Sequence, residues 1–131
     1  MTRPSAASGV AFALVVLSAA CAGVSAQAEP SPSRGERLFK QRCASCHQVI
    51  PGARSIMAPN LANVVDRKPG ADPTYRYSPA IKKLERPWTA EALSDFLAAP
   101  GKFAPGTRMM ISVPDKHDRH EIIEFLAKAG S

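Results

Sequence analysis

Cys43-Ala44-Ser45-Cys46-His47 places two thiols three positions apart and an imidazole directly after the second. Several chemistries use such a pair, and the rest of the chain separates them. A structural zinc site needs four ligands, and no second Cys or Cys/His pair stands elsewhere. A thioredoxin-like dithiol belongs to a βαβ setting, whose strand patterns are absent. A disulfide closing so short a loop adds little stability. What remains is the C-x-x-C-H signature of covalent haem attachment. Two thiols at this spacing reach the vinyl groups of neighbouring pyrroles and become thioethers. The histidine after the second thiol is then held under the iron as an axial ligand.

On its N-terminal side the motif closes a helix. Ser33 with Glu36 three residues on forms a Ser-x-x-Glu capping box, and Leu38 and Phe39 share one face of the helix that runs into Cys43. On its C-terminal side, residues 48–72 read as loop, punctuated by Pro51-Gly52, Pro59-Asn60 and Pro69-Gly70. A loop this long in a small domain is expected to be functional, or to be organised by something not in the sequence. Ser78-Pro79 opens a short helix through Leu84, with proline at the first helical position. Thr89 caps another, with Trp88 and Leu93 spaced as a hydrophobic staple; Leu93, Phe96 and Leu97 form its apolar face, and Pro100-Gly101 ends it. A second loop covers residues 102–114. The last helix starts near Asp115 and carries Ile122, Ile123, Phe125 and Leu126 as its stripe. The expected fold is all-α: three main helices, a shorter one, and long loops around a covalent haem.

The chain has 131 residues and a formal net charge of +6. Its beginning reads as a secretion signal: Arg3, an uncharged apolar run from Gly9 to Ala20, and Ala26-Gln27-Ala28 as an A-x-A cleavage pattern. The run is short for a membrane span, so a permanent tether is the alternative to a cleaved signal over residues 1–28. Cys21, a candidate lipid-attachment site, lacks the large aliphatic residue usual three positions upstream, and reads as a small apolar residue of the leader. Removing 28 of the 131 residues leaves 103, in residues 29–131, and removing Arg3 lowers the charge to +5. A domain of that size gains from a cofactor in its core. Export argues against nucleic acid as a partner and leaves acidic protein surfaces or anionic membrane faces.

The iron's second axial position has five candidates: Met57, Met109, Met110, His117 and His120. The two histidines lie among Asp115, Asp118, Arg119 and Glu121 and read as a solvated helix face. Met57 lies in the loop that follows His47. Met109 follows Pro105-Gly106-Thr107-Arg108, a turn-rich stretch able to bring backbone close to the opposite haem face, and it is the expected ligand.

The chain resembles the class I c-type cytochromes, in the branch of mitochondrial cytochrome c and its soluble bacterial relatives. The resemblance runs from Ser33 to Gly130. It implies that Gly35 and Phe39 pack against the last helix, and that the Pro59 carbonyl accepts a hydrogen bond from His47, fixing its tautomer and strengthening it as a donor. It implies that Arg67, Tyr77 and Trp88 bind haem propionates, for which buried carboxylates need donors. It also matches Pro105-Gly106-Thr107-Arg108-Met109 to the methionine-ligand loop, with Arg where Lys is common. Phe96 stands where the family often has Tyr. Ile111 stands where many relatives have an aromatic, and Gly101 replaces one of the lysines that ring the haem edge.

A His/Met pair fills both axial positions and raises the reduction potential relative to two nitrogen ligands. The implied function is therefore electron carriage rather than catalysis, with one haem c and no small-molecule substrate. The expected protein is a periplasmic monomer that shuttles single electrons between redox complexes with acidic docking surfaces. A cytochrome bc complex, a terminal oxidase, a reaction centre or a dehydrogenase is such a partner. Lys102 and Arg108, extended by Lys40, Lys82 and Lys83, would form its basic docking surface. The alternatives are an acceptor dedicated to one periplasmic dehydrogenase, and a haem peroxidase, for which no distal His–Arg pair is visible.

Overall fold

The computed structural model describes residues 1–2, 31–55 and 57–131, so that all but the first two residues of the expected leader lie outside the described residues. Among the described residues five helices follow in order: α1 (Arg34–Arg42), α2 (Pro79–Lys82), α3 (Ala90–Ala98), α4 (Pro100–Phe103) and α5 (Lys116–Lys128). No strand occurs among the described residues.

Each of the four helices that starts from a polar residue is capped by it. Ser33 Oγ accepts the Glu36 amide at 3.1 Å, Ser78 Oγ that of Ile81 at 3.4 Å, and Thr89 Oγ1 that of Ala92 at 3.1 Å. Asp115 Oδ1 accepts the Asp118 amide at 2.8 Å. These bonds satisfy amides that a helix start leaves without partners.

Two boundaries differ from the sequence expectation. The helix opened by Ser78-Pro79 stops at Lys82 rather than Leu84, because the Leu84 amide turns back to Ile81 O at 3.2 Å in a tighter three-residue step. Pro100-Gly101 does not open a loop. The chain leaves helical geometry at Ala99 (φ −155°, ψ 77°), and Pro100 then starts the extra helix α4, whose first turn needs no proline N–H.

The core lies between α1, α3 and α5. Gly35 lets α1 and α5 touch along their backbones: a Cβ on it would fall 2.0 Å from Glu121 O. One turn further on, Phe39 meets Phe125 with ring centroids 5.3 Å apart. Ile122, Ile123 and Leu126 bury the stripe of α5, while Phe125 is only half-buried. Leu93, Phe96 and Leu97 bury the face of α3. Beside them Trp88 packs on Phe96 and Phe103, at 5.1 and 6.0 Å between centroids. Arg119 ties the entry to α5 to α3, donating to Val113 O, Pro114 O and Ser94 Oγ.

Candidate functional site

Where α1 runs out, the chain folds back on itself. The Cys43 and Ala44 amides both return to Phe39 O, and the Cys46 and His47 amides both return to Cys43 O at 3.0 and 2.9 Å. One tight turn therefore carries both thiols and the imidazole. The two cysteines are half-buried and unbridged. Burial pushes the Cys43 thiol up to about 11, against the opposing charge of Arg42. Such a thiol is protonated at neutral pH, unlike the low-pKa thiolate of a redox dithiol.

His47 Nδ1 donates to Pro59 O at 2.8 Å. Burial lowers its pKa, with the Pro59 bond opposing. The ring is thus neutral, with Nδ1–H engaged and the Nε2 lone pair free to ligate a metal.

The loop after His47 is organised around Asn60, a buried residue that sequence reading noted only as part of a turn. Its Nδ2 donates to Ile50 O and Ala53 O at 2.8 and 2.7 Å, and its Oδ1 accepts the Ala62 amide. Its own amide is held by Asp72 Oδ2 at 3.0 Å, and its carbonyl accepts Arg67 Nη2 at 2.7 Å. Asp72 also takes the Thr74 amide and hydroxyl, so Asp72-Pro73-Thr74 is an Asx turn. That pattern was the available signal for Asp72; nothing local marks Asn60 as a hub.

Arg67 meets Trp88 through the backbone and lies near enough to Tyr77 for its charge to act on the phenol. Arg67 Nη1 and Nη2 are engaged by Ala62 O and Asn60 O, and its Nε is buried without a partner. The Arg67 carbonyl accepts the Trp88 amide at 2.9 Å. Tyr77 is buried beside Tyr75, and burial raises its pKa. The guanidinium expected to reach carboxylates therefore spends two nitrogens on backbone and keeps one for something else.

Burial works against ionisation of Asp72, but the Thr74 and Asn60 hydrogen bonds and the Arg67 charge outweigh it and hold the carboxyl below its ordinary value. A carboxylate depressed in the folded state stabilises the fold above its unfolded pKa. That contribution is lost as pH falls through the folded value. Asp72→Asn should therefore melt at a lower temperature than wild type at pH 7. The two melting curves should converge as the buffer is taken below the carboxylate range. A gap that persists unchanged in acid would mean that the charge is irrelevant.

Of the three candidate methionines, one turns inward. Met57 and Met110 are 71% and 85% exposed, whereas Met109 is half-buried and packs on the core. Its loop is built by Gly106 at φ 92°, by the Thr107 amide on Ala104 O, and by Arg108 Nη1 donating to Arg76 O at 2.8 Å. His120 is exposed, and His117 faces Glu121 on the surface of α5 at 3.8 Å.

The donor set fits a covalent haem: paired unbridged thiols, a neutral imidazole aimed by Pro59, an inward thioether and an orphaned guanidinium nitrogen. Comparison with known proteins leads the same way. A family model described as cytochrome c matches residues 32–129. A cytochrome c2 of Agrobacterium tumefaciens is 41% identical over 109 residues, covering 79% of this chain and 96% of that protein. A cytochrome c2 of Rhodomicrobium vannielii is 39% identical over 104 residues, covering 79% and 82%. A cytochrome c of Sesamum indicum is 38% identical over 96 residues, covering 72% and 86%. Among solved structures, cytochrome c2 from Rhodospirillum centenum aligns with a TM-score of 0.68 at 26% identity, over 75% of this chain and 97% of that one.

Proposed function

We propose, since this chain belongs to the cytochrome c family, that it shuttles single electrons between larger redox complexes, with haem joined through Cys43 and Cys46 and iron held between His47 and Met109. Membership brings the class I fold, one covalently bound haem c and the role of an electron carrier rather than an enzyme. When bound, the haem supplies a one-electron iron couple.

The protein's own residues define the rest of the reading. The observation that carries it is the His47 Nδ1–Pro59 O bond, which leaves Nε2 as the only free nitrogen of a half-buried ring. Arg67 Nε, buried without a partner, offers a donor to the propionates, and Tyr77 and Trp88 are the further donors of this reading. Met109 would supply the second iron ligand, and with it in place no coordination position would be left for small ligands. A partner with an acidic face is steered by the basic residues near the Met109 loop, Lys102 and Arg108 among them, which raises encounter rate more than affinity. Lys40 contributes less, because its ammonium is paired with Glu36 at 2.7 Å.

The ligand assignment is tested at the methionines. Met109→Ala should abolish the iron–sulfur charge-transfer absorption, lower the potential and let carbon monoxide bind the reduced protein. Met110→Ala should change none of these. The reverse result would shift the ligand by one residue and refute the assignment. Residues 1–28 are removed in this reading and the domain works in the periplasm, so N-terminal sequencing of exported protein should begin at Glu29; an intact Met1 would refute the cleavage.

A further inference from the structure

The stretch that joins α2 to α3 makes, with Asp95 and Phe103, a groove of about 440 Å³. Its apolar wall is Leu84, Pro87, Trp88, Ala92 and Phe103. Trp88 and Phe103 stack there, with centroids 6.0 Å apart and planes at 26°. Its charged rim is Glu85, Glu91 and Asp95, against the single guanidinium of Arg86. The wall is part of the core rather than a loose flap, since Trp88 is buried and also packs on Phe96 at 5.1 Å.

The sign of this groove runs against that of the chain. The protein carries a formal charge of +6, yet here carboxylates outnumber cations three to one. The three carboxylates are also uncommitted. Among the described residues Glu36, Asp118 and Glu121 each have a basic side chain within 4.0 Å, and Glu85, Glu91 and Asp95 do not. The start of α3 opens on the same groove and by itself would favour an anion. That end is already satisfied from within: Thr89 Oγ1 accepts the Ala92 amide at 3.1 Å, and Glu91 lies in the first turn. The carboxylates therefore set the sign.

Carboxylates around aromatic rings suit a guanidinium or ammonium group, which stacks on a ring while its N–H groups reach the oxygens. The apolar wall takes the aliphatic stem of such a side chain. We propose that this groove docks a basic segment of a protein partner, an Arg or Lys side chain with an apolar residue beside it. Charge complementarity selects that occupant: an acidic surface is repelled here and drawn to the Lys102 and Arg108 surface, whereas a basic segment is drawn here. Two docking faces of opposite sign let one carrier tell its partners apart by charge. That consequence rests on the electron-carrier reading; the docking itself does not.

The holoprotein is titrated with the peptide acetyl-Arg-Leu-Arg-amide at constant ionic strength while backbone amide shifts are followed. The indole N–H of Trp88, the chain's one tryptophan, is followed with them. Saturable shifts are expected at residues 84–95, at Phe103 and at the indole. Acetyl-Gln-Leu-Gln-amide should not bind, and equal binding of it would overturn the role of charge. Glu85→Gln with Glu91→Gln should weaken binding of the arginine peptide roughly three- to tenfold, as loss of two exposed charge pairs implies. Glu36→Gln with Glu124→Gln removes the same charge from α1 and α5, outside the groove, and should leave binding nearly intact. Equal weakening by both double variants, or shifts that sodium chloride reproduces, would overturn the proposal as general charge screening. Benzylammonium that saturates the groove as tightly as the peptide would overturn it too, by making this a small-amine site. None of these readouts uses electron transfer, so a failure here is distinct from a failure of the carrier reading.

Discussion

Cys43→Ala with Cys46→Ala should yield a chain that releases all its haem into acidified organic solvent and has lost its cooperative thermal transition. The helices explain the expected severity. Four of the five have nine residues or fewer, and the longest has 13. Isolated helices shorter than about 12–15 residues are marginal in water, so these depend on tertiary packing. Among the described residues between α1 and α2 there is no helix, and the order there comes from Asn60, Asp72 and the His47–Pro59 bond. Small domains are stable by only about 5–15 kcal/mol, a margin that loss of a core cofactor can erase. Circular dichroism against temperature checks the result. A double variant that kept a sharp transition and wild-type helix content would show that the polypeptide carries its own core.

The second large effect lies at the crossing of α1 and α5. In an exposed helix, Gly→Ala stabilises by about 1 kcal/mol. Gly35→Ala should do the opposite. Its Cβ would meet Glu121 O at 2.0 Å, the carbonyl carbon at 2.8 Å and Phe125 Cβ at 2.9 Å, and the first two are backbone that cannot swing aside. The helices must separate, which loosens Phe39 against Phe125. Overpacking typically costs about 1–3 kcal/mol, and this contact belongs at the upper end. For a domain of this size, about 3 kcal/mol corresponds to a fall in melting temperature of roughly 12–24 °C. Gly101→Ala is the internal comparison, because nothing lies within 4 Å of the Cβ it would gain. A Gly35→Ala melting point at or above wild type would mean that the helices are not in backbone contact.

Much of this was legible because it is local. Ser33, Ser78, Thr89 and Asp115 announce helix starts through their own hydroxyls and carboxylate, and the apolar spacing of Leu93, Phe96 and Leu97 announces a buried face. The cysteine turn is legible because attachment needs its residues consecutive. What escaped depends on partners distant in sequence or on ambiguous signals. Pro100 reads as a stop because it follows a helix, yet the same ring starts the next one. Asn60 looks like any residue after proline until Ile50, Ala53, Ala62, Arg67 and Asp72 converge on it. Arg67 was read as a propionate donor, but its commitment to two backbone carbonyls is a tertiary fact that no local pattern encodes.

The Gly35–Glu121 contact joins the two ends of the domain, so nearly everything between them is enclosed in a closed circuit. A circuit clasped in this way allows one stretch to come loose and re-form without parting the ends. The stretch around Met109 is suited to that: it is held by the Thr107 amide, the Arg108 guanidinium and the Val113 amide on Leu97 O at 2.7 Å, with few buried side chains of its own. Amide hydrogen exchange should therefore be stratified, fast and local in residues 105–112, and slowest in α1 and α5, where escape requires opening the whole molecule. The loop proposed to ligate the iron would then fluctuate on its own schedule, while the lifetime of the folded chain would be governed by a glycine on the far side of the core.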